Sequence, residues 1–137
     1  MRRTASIAGV VIGIVLIVGG GTTWGVVSSE LADESITVSD DAPCLGGDEV
    51  NGPFSAFCQA LVIEDHALEA TDGQTYAELG RDDPRRQTAM NASFLRASLF
   101  TSVVAFGVAG MAMLIGILFI LIGLGIRDVV ERTGVLE

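Results

Sequence analysis

His66, the only histidine of the chain, stands in the run Glu64-Asp65-His66 with Glu69 close by. Such residues serve metal ligation or acid–base chemistry. A non-haem iron oxygenase site needs two histidines and a carboxylate, more than one chain with a single histidine supplies. No Walker loop, nucleophile elbow or zinc-binding H-E-x-x-H motif is present. A surface histidine on the polar side of a helix accounts for His66. The acidic pairs Asp40-Asp41, Asp48-Glu49 and Asp82-Asp83 could hold calcium loosely, but none has the alternating carboxylates and glycine of a calcium loop. Turn and cap roles explain them. Asn91-Ala92-Ser93 matches a glycosylation sequon but falls inside an expected helix. The residues therefore assign no catalytic group, no metal site and no cofactor.

Cys44 and Cys58 are the only cysteines. Their separation within one segment suits a disulfide in an oxidising compartment, stabilising by about 3 kcal/mol in the chain-entropy model. Two unpaired thiols acting as small hydrophobes are the plainer alternative. Metal binding by two thiols alone is disfavoured, since structural zinc takes four ligands.

The elements that position these residues follow from hydropathy. Of 137 residues, 50% are hydrophobic, and the mean hydropathy is +0.55, too apolar for an ordinary soluble domain of this size. Two uncharged runs, Ile7 to Val27 and Leu99 to Ile126, each exceed the roughly 20 residues that a helix needs to cross the hydrocarbon core. In lipid the backbone must satisfy itself, so both are expected to be helices. Trp24 lies near the end of the first, and Arg96 and Arg127 flank the second. Met1-Arg2-Arg3 followed by an apolar stretch also fits a cleaved secretory signal. The run is too long for one and no good cleavage site precedes Glu30, so a retained anchor is expected. The chain has no lysine, and its arginines vote weakly on orientation. The short basic N-terminus and the placement of both cysteines between the spans put both termini in the cytoplasm. The expected layout is a cytoplasmic tail over 1–6, a span over 7–27, an acidic extracytoplasmic segment over 28–98, a second span over 99–126, and a cytoplasmic tail over 127–137.

Between the spans, fourteen acidic residues face four arginines, about −10 in net charge, so the −9 of the whole chain arises there. Such a segment stays in solvent and repels nucleic acid and anionic headgroups. Glu30 to Asp48 reads as an extended connector without helix, with a short strand at Ile36 to Val38. Gly52-Pro53 opens a helix whose face is expected to carry Phe54, Phe57, Cys58, Leu61 and Leu68, ending near Thr71 with Gly73 left-handed. A short helical turn is expected at Tyr76 to Leu79. Asp83-Pro84 is a helix start, and one helix is read from Pro84 through Ile126. The fold class is thus an all-α membrane protein: a two-helix transmembrane hairpin, the second helix continuing outside as a stalk, with a small helical and irregular extracytoplasmic segment.

Small residues at four-residue spacing, Gly9 with Gly13, Gly21 with Gly25, Ala105 with Ala109 and Ala112 with Gly116, allow close helix packing. Packing of the two spans against each other is favoured over a dimer between chains. Neither span holds an ionisable residue, which disfavours a pump or transporter. A pore would need an oligomer lined by Thr22, Thr23, Thr101 and Ser102. An interaction surface is placed between Asp83 and Phe106, with Arg85, Arg86, Asn91, Phe94 and Arg96 as candidates. Alternatively, Phe94 packs inside the hairpin and the arginines offset nearby acids.

Four stretches carry a resemblance: TVSDDA at Thr37 to Ala42, GPFSAF at Gly52 to Phe57, HALEATDGQTYAEL at His66 to Leu79, and MNASFLRASLFTSVVAFG at Met90 to Gly107. The chain resembles, over about two thirds of its length, an uncharacterised family of small two-span actinobacterial membrane proteins. The resemblance implies an actinobacterial plasma membrane and no catalytic residue. Members often carry an aromatic ring-opening dioxygenase label, which the single histidine argues against. The family pattern does not clearly require the two cysteines. The expected function is a non-catalytic accessory or scaffold subunit of a plasma-membrane assembly, with the lipid bilayer and a membrane protein as partners. A self-associating structural or channel-like homo-oligomer is the second reading and an enzyme the third. No nucleic acid or small-molecule substrate is implied.

Overall fold

The computed structural model describes residues 2–132. Met1 and residues 133–137, the outer parts of the two expected tails, lie outside the described residues. The described chain is all-helical: α1 is Arg2–Asp33, α2 is Pro53–Ala70 and α3 is Arg86–Arg132, without a strand. α1 and α3 are long and apolar enough to cross a membrane, and only 17% of the most apolar window of each is buried within the protein. The chain divides into two compact units, Met1–Val26 with Gly107–Glu137, and Val27–Phe106.

In the first unit α1 and α3 meet through small residues. Ser6 Oγ donates to the Gly123 carbonyl at 2.6 Å. A Cβ at Gly13 would lie 2.5 Å from the Gly116 carbonyl oxygen, and one at Gly20 would lie 2.6 Å from that of Ala109. Rising numbers on α1 thus meet falling numbers on α3, so the helices are antiparallel here. Ser6, Gly13 and Gly20, like Ala109, Gly116 and Gly123, are buried and seven residues apart. That is the repeat of helices crossing at a shallow angle, where small side chains let backbones touch.

The second unit packs α2 and the connector around a core of Leu31, Val38, Val50, Ala56, Cys58, Ala60, Leu99 and Phe106. α1 does not stop at the end of its uncharged run. It continues to Asp33, correcting the expectation of a non-helical connector from Glu30. Ser29-Glu30-Leu31-Ala32 carries no breaker, and Leu31 is buried in the core. The turn comes at Ser35, with positive φ, whose N–H reaches the Ala32 carbonyl. The expected strand at Ile36 to Val38 reduces to an isolated antiparallel bridge between Thr37 and Glu49. It is supported by Val38 N–H to Asp48 O at 2.8 Å and Val50 N–H to Ile36 O at 2.9 Å. With no strand among the described residues to pair against, the bridge extends no further.

α2 starts at Pro53, with Ser55 Oγ accepting from the N–H groups of Asn51 and Gly52. It ends where Gly73, at φ +78°, donates its N–H to the Leu68 carbonyl at 2.7 Å. Its buried face is Ser55, Ala56, Cys58, Gln59, Ala60 and Val62. Of the face expected from sequence only Cys58 is among them; Phe54 and Phe57 are exposed. Small side chains fill the tight space inside the core and the bulky rings are left outside. Tyr76 to Leu79 forms a turn, with the Leu79 N–H bonded to the Thr75 carbonyl. α3 begins at Arg86, two residues after Pro84, and runs 47 residues without a break, about 70 Å at ~1.5 Å per residue.

Candidate interaction surface

Arg85, Arg86, Asn91, Phe94 and Arg96 stand in the first three turns of α3 or just before it. Arg85 is held from two sides. Its Nε and Nη2 donate to the two carboxylate oxygens of Asp83 at 3.0 and 2.7 Å. Its Nη1 donates to Asp72 at 2.7 Å, and Nη2 also reaches Gln74 Oε1. Asp83 Oδ1 accepts the Arg85 backbone N–H as well, at 2.9 Å, so one carboxylate closes the turn into α3. The Arg85 guanidinium and this N–H lower the Asp83 pKa to about 2.

Arg86 donates to the carbonyls of Tyr76 and Leu79 at 3.1 and 2.7 Å, and its guanidinium lies 3.9 Å from the Tyr76 ring centroid. The 76–79 turn is thereby clamped to the start of α3. Arg96 Nη2 donates to Glu64 Oε2 on α2 at 2.6 Å, with its guanidinium 5.9 Å from the Phe100 ring centroid. All three arginines thus bind partners within the chain, and none presents its charge outward alone. Asn91 accepts from Gln87 Nε2 at 3.0 Å and lines an open groove of about 280 Å³ with Ile63, His66, Thr88 and Leu95. Phe94 does not pack inside: it is 68% exposed, with Leu95 exposed beside it.

His66 belongs to a contact that sequence reasoning missed. Its Nε2 lies 2.6 Å from Asp41 Oδ2 in the connector. This hydrogen bond, with smaller contributions from Glu69 and Asp65, raises the His66 pKa, and it lowers that of Asp41. Twenty-five positions separate the two, so no local motif could signal the pair. Cys44, three residues after Asp41, and Cys58 form a disulfide with Cα atoms 5.6 Å apart, tying the connector to the buried face of α2. Among the described residues no three His, Cys, Asp or Glu side chains are grouped so as to hold a metal ion.

The small residues singled out for packing separate by place. A Cβ at Gly9 would lie 3.3 Å from the Phe119 carbonyl oxygen, and Gly13, Ala109 and Gly116 are buried where α1 meets α3. Ala105 and Ala112 are half-buried. Gly21 and Gly25 have open space where a Cβ would stand. Gly20, Gly123 and Ser6, which close the pair, escape a search at four-residue spacing; the seven-residue recurrence of small residues would have found them. Comparison with protein-family models, curated proteins and solved structures finds no match to this chain.

Proposed function

We propose that the chain is an accessory or scaffold subunit of a plasma-membrane assembly, without catalysis of its own. In this reading α1 and α3 form a transmembrane hairpin with both termini in the cytoplasm. The outer part of α3 is a stalk presenting the acidic segment outside. The observation that carries it is the surface of α3 around Phe94. The nearby arginines are engaged within the chain, while Phe94 and Leu95, adjacent large apolar side chains, stay exposed beside Asn91. Exposed apolar anchors with a polar neighbour suit burial against a protein partner.

Self-association is the second reading, favoured by Gly21 and Gly25, whose positions meet no atom within 4 Å and leave room for another helix. An enzyme is disfavoured, because the one histidine is paired with a surface aspartate and, among the described residues, is not gathered with other ligands.

The test is gentle detergent extraction of tagged protein from its native membrane, native sizing, and mass spectrometry of what copurifies. A stoichiometric membrane protein that is lost on Phe94→Ala with Asn91→Ala supports the accessory role. A homogeneous oligomer of this chain alone replaces it with self-association, and a monomer removes both.

A further inference from the structure

α2 and α3 run antiparallel, as three contacts show: the Phe57 and Phe100 rings meet edge-on with centroids 6.1 Å apart, Glu64 pairs with Arg96, and the Thr71 carbonyl accepts from Arg85. Moving toward the start of α2 therefore means moving along α3 into its uncharged run, which begins at Leu99. Phe54 lies one turn before Phe57, about 4.5 Å further in that direction at ~1.5 Å per residue. The other side of the unit gives the same level. Ser28 Oγ donates to the Asn51 carbonyl at 2.6 Å, and Ser28 is the first residue after the uncharged run of α1. The start of α2 is thus fixed at the level of Ser28, where the uncharged run of α1 ends, and near Leu99, where that of α3 begins.

At that level the surface of α2 is apolar. No charged residue occurs from Val50 to Ile63, Phe54 is 76% exposed and Phe57 43%. Glu49 and Glu64 bound this stretch, and Glu49 accepts a hydrogen bond from Asn51 at 3.4 Å. Two aromatic rings facing water at the level of Ser28 and Phe100, where uncharged sequence takes over, are poorly placed; in an interfacial layer they gain an apolar environment. We infer that the first turns of α2 seat Phe54 and Phe57 in the interfacial layer of the bilayer, making α2 a surface anchor. The acidic unit repels anionic headgroups, so the attraction is apolar and neutral lipid suffices.

The inference rests on reading α1 and α3 as spans, and the test separates the two. The full chain is placed in phosphatidylcholine nanodiscs, with lipids brominated near the headgroup or left plain. The native chain reports through Trp24, and the double variant Trp24→Phe, Phe54→Trp reports from position 54. Bromolipid quenching of both reporters, with blue-shifted emission from position 54, is the expected result. Quenching at Trp24 with only aqueous acrylamide quenching at position 54 overturns the anchor and leaves the spans standing. Quenching at neither by bromolipid overturns both. Protection of position 54 from lipid and aqueous quenchers alike assigns the rings to a protein contact and overturns the lipid seat. Hydroxyl-radical footprinting of the unaltered chain in the same nanodiscs gives a second reading: Phe54 is protected while Phe94, about 9 Å further out on α3 than Phe100, is oxidised. Equal oxidation of the two overturns the inference.

Discussion

Glu64 on α2 and Arg96 on α3 are joined at 2.6 Å across the helix pair, the guanidinium 29% and the carboxylate 41% exposed. The Arg96 Nε is buried without a hydrogen-bond partner among the described residues. A half-exposed pair of this kind is worth about 0.5–1 kcal/mol of coupling. A double-mutant cycle of Glu64→Gln and Arg96→Ala, followed by denaturant unfolding of the purified protein in detergent, should return that value. Arg96→Lys keeps the charge and drops the unpartnered N–H, and should cost less than Arg96→Ala. Zero coupling would show that the pair does not fasten α2 to α3.

The disulfide should matter more. Cys44 is in the connector and Cys58 on the buried face of α2. Cys44→Ser with Cys58→Ser should remove about 3 kcal/mol of stability. Hydrogen exchange should quicken through residues 36–60 and stay unchanged around Gly13 and Gly116. Unaltered protection near Val38 and Val50 would sink this expectation.

His66 and Asp41 make the second unit sensitive to pH. Because the folded pKa of His66 is raised above its ordinary 6.5, the pair's contribution is full below about pH 6.5 and is lost as pH rises through the raised value. Because that of Asp41 is lowered below 3.8, its share is present above about pH 3.8 and is lost as pH falls through the lowered value. The contribution is therefore greatest in mildly acidic solution. An NMR titration of the imidazole should show the raised midpoint, and Asp41→Asn should bring it down. An unmoved midpoint in that variant would refute the contact.

Close helix packing gives the sharpest mutational contrast. A Cβ on Gly13 or Gly116 meets backbone oxygen of the other helix at 2.5 or 2.6 Å, so the helices must move apart. Gly13→Ala and Gly116→Ala should each cost about 1–3 kcal/mol, read as loss of thermal stability in detergent. Gly21→Ala, with open space around it, should change stability by less than about 0.5 kcal/mol. Equal effects at the three positions would be inconsistent with the antiparallel contact.

The long helices were legible because each signal was strong and local: two uncharged runs, and Asp83-Pro84 before α3. α3 starts two residues later than Pro84 because Asp83 also accepts the Arg85 N–H and holds the chain in a turn. α1 runs on past its uncharged stretch because Leu31, set among acids, anchors one more turn in the core. The face of α2 is legible only in part: Cys58 is buried and Leu61 and Leu68 are half-buried, but the two large rings face outward. Ala56 and Ala60 fill the narrow interior while Phe54 and Phe57 stand outside. At the candidate surface, sequence could nominate Arg85, Arg86 and Arg96 by position. It could not show that Asp72, Leu79 and Glu64, brought near only by folding, already hold them.

The bond between Cys44 and Cys58 closes the chain into a ring, and Leu45 to Glu49 lie exposed on its rim. A protease that cuts there once opens the ring without dividing the molecule. Nicked protein would travel as one species on a non-reducing gel and fall into two fragments on reduction, each carrying one of the long helices. The crosslink thus guards the integrity of the chain as well as its stability.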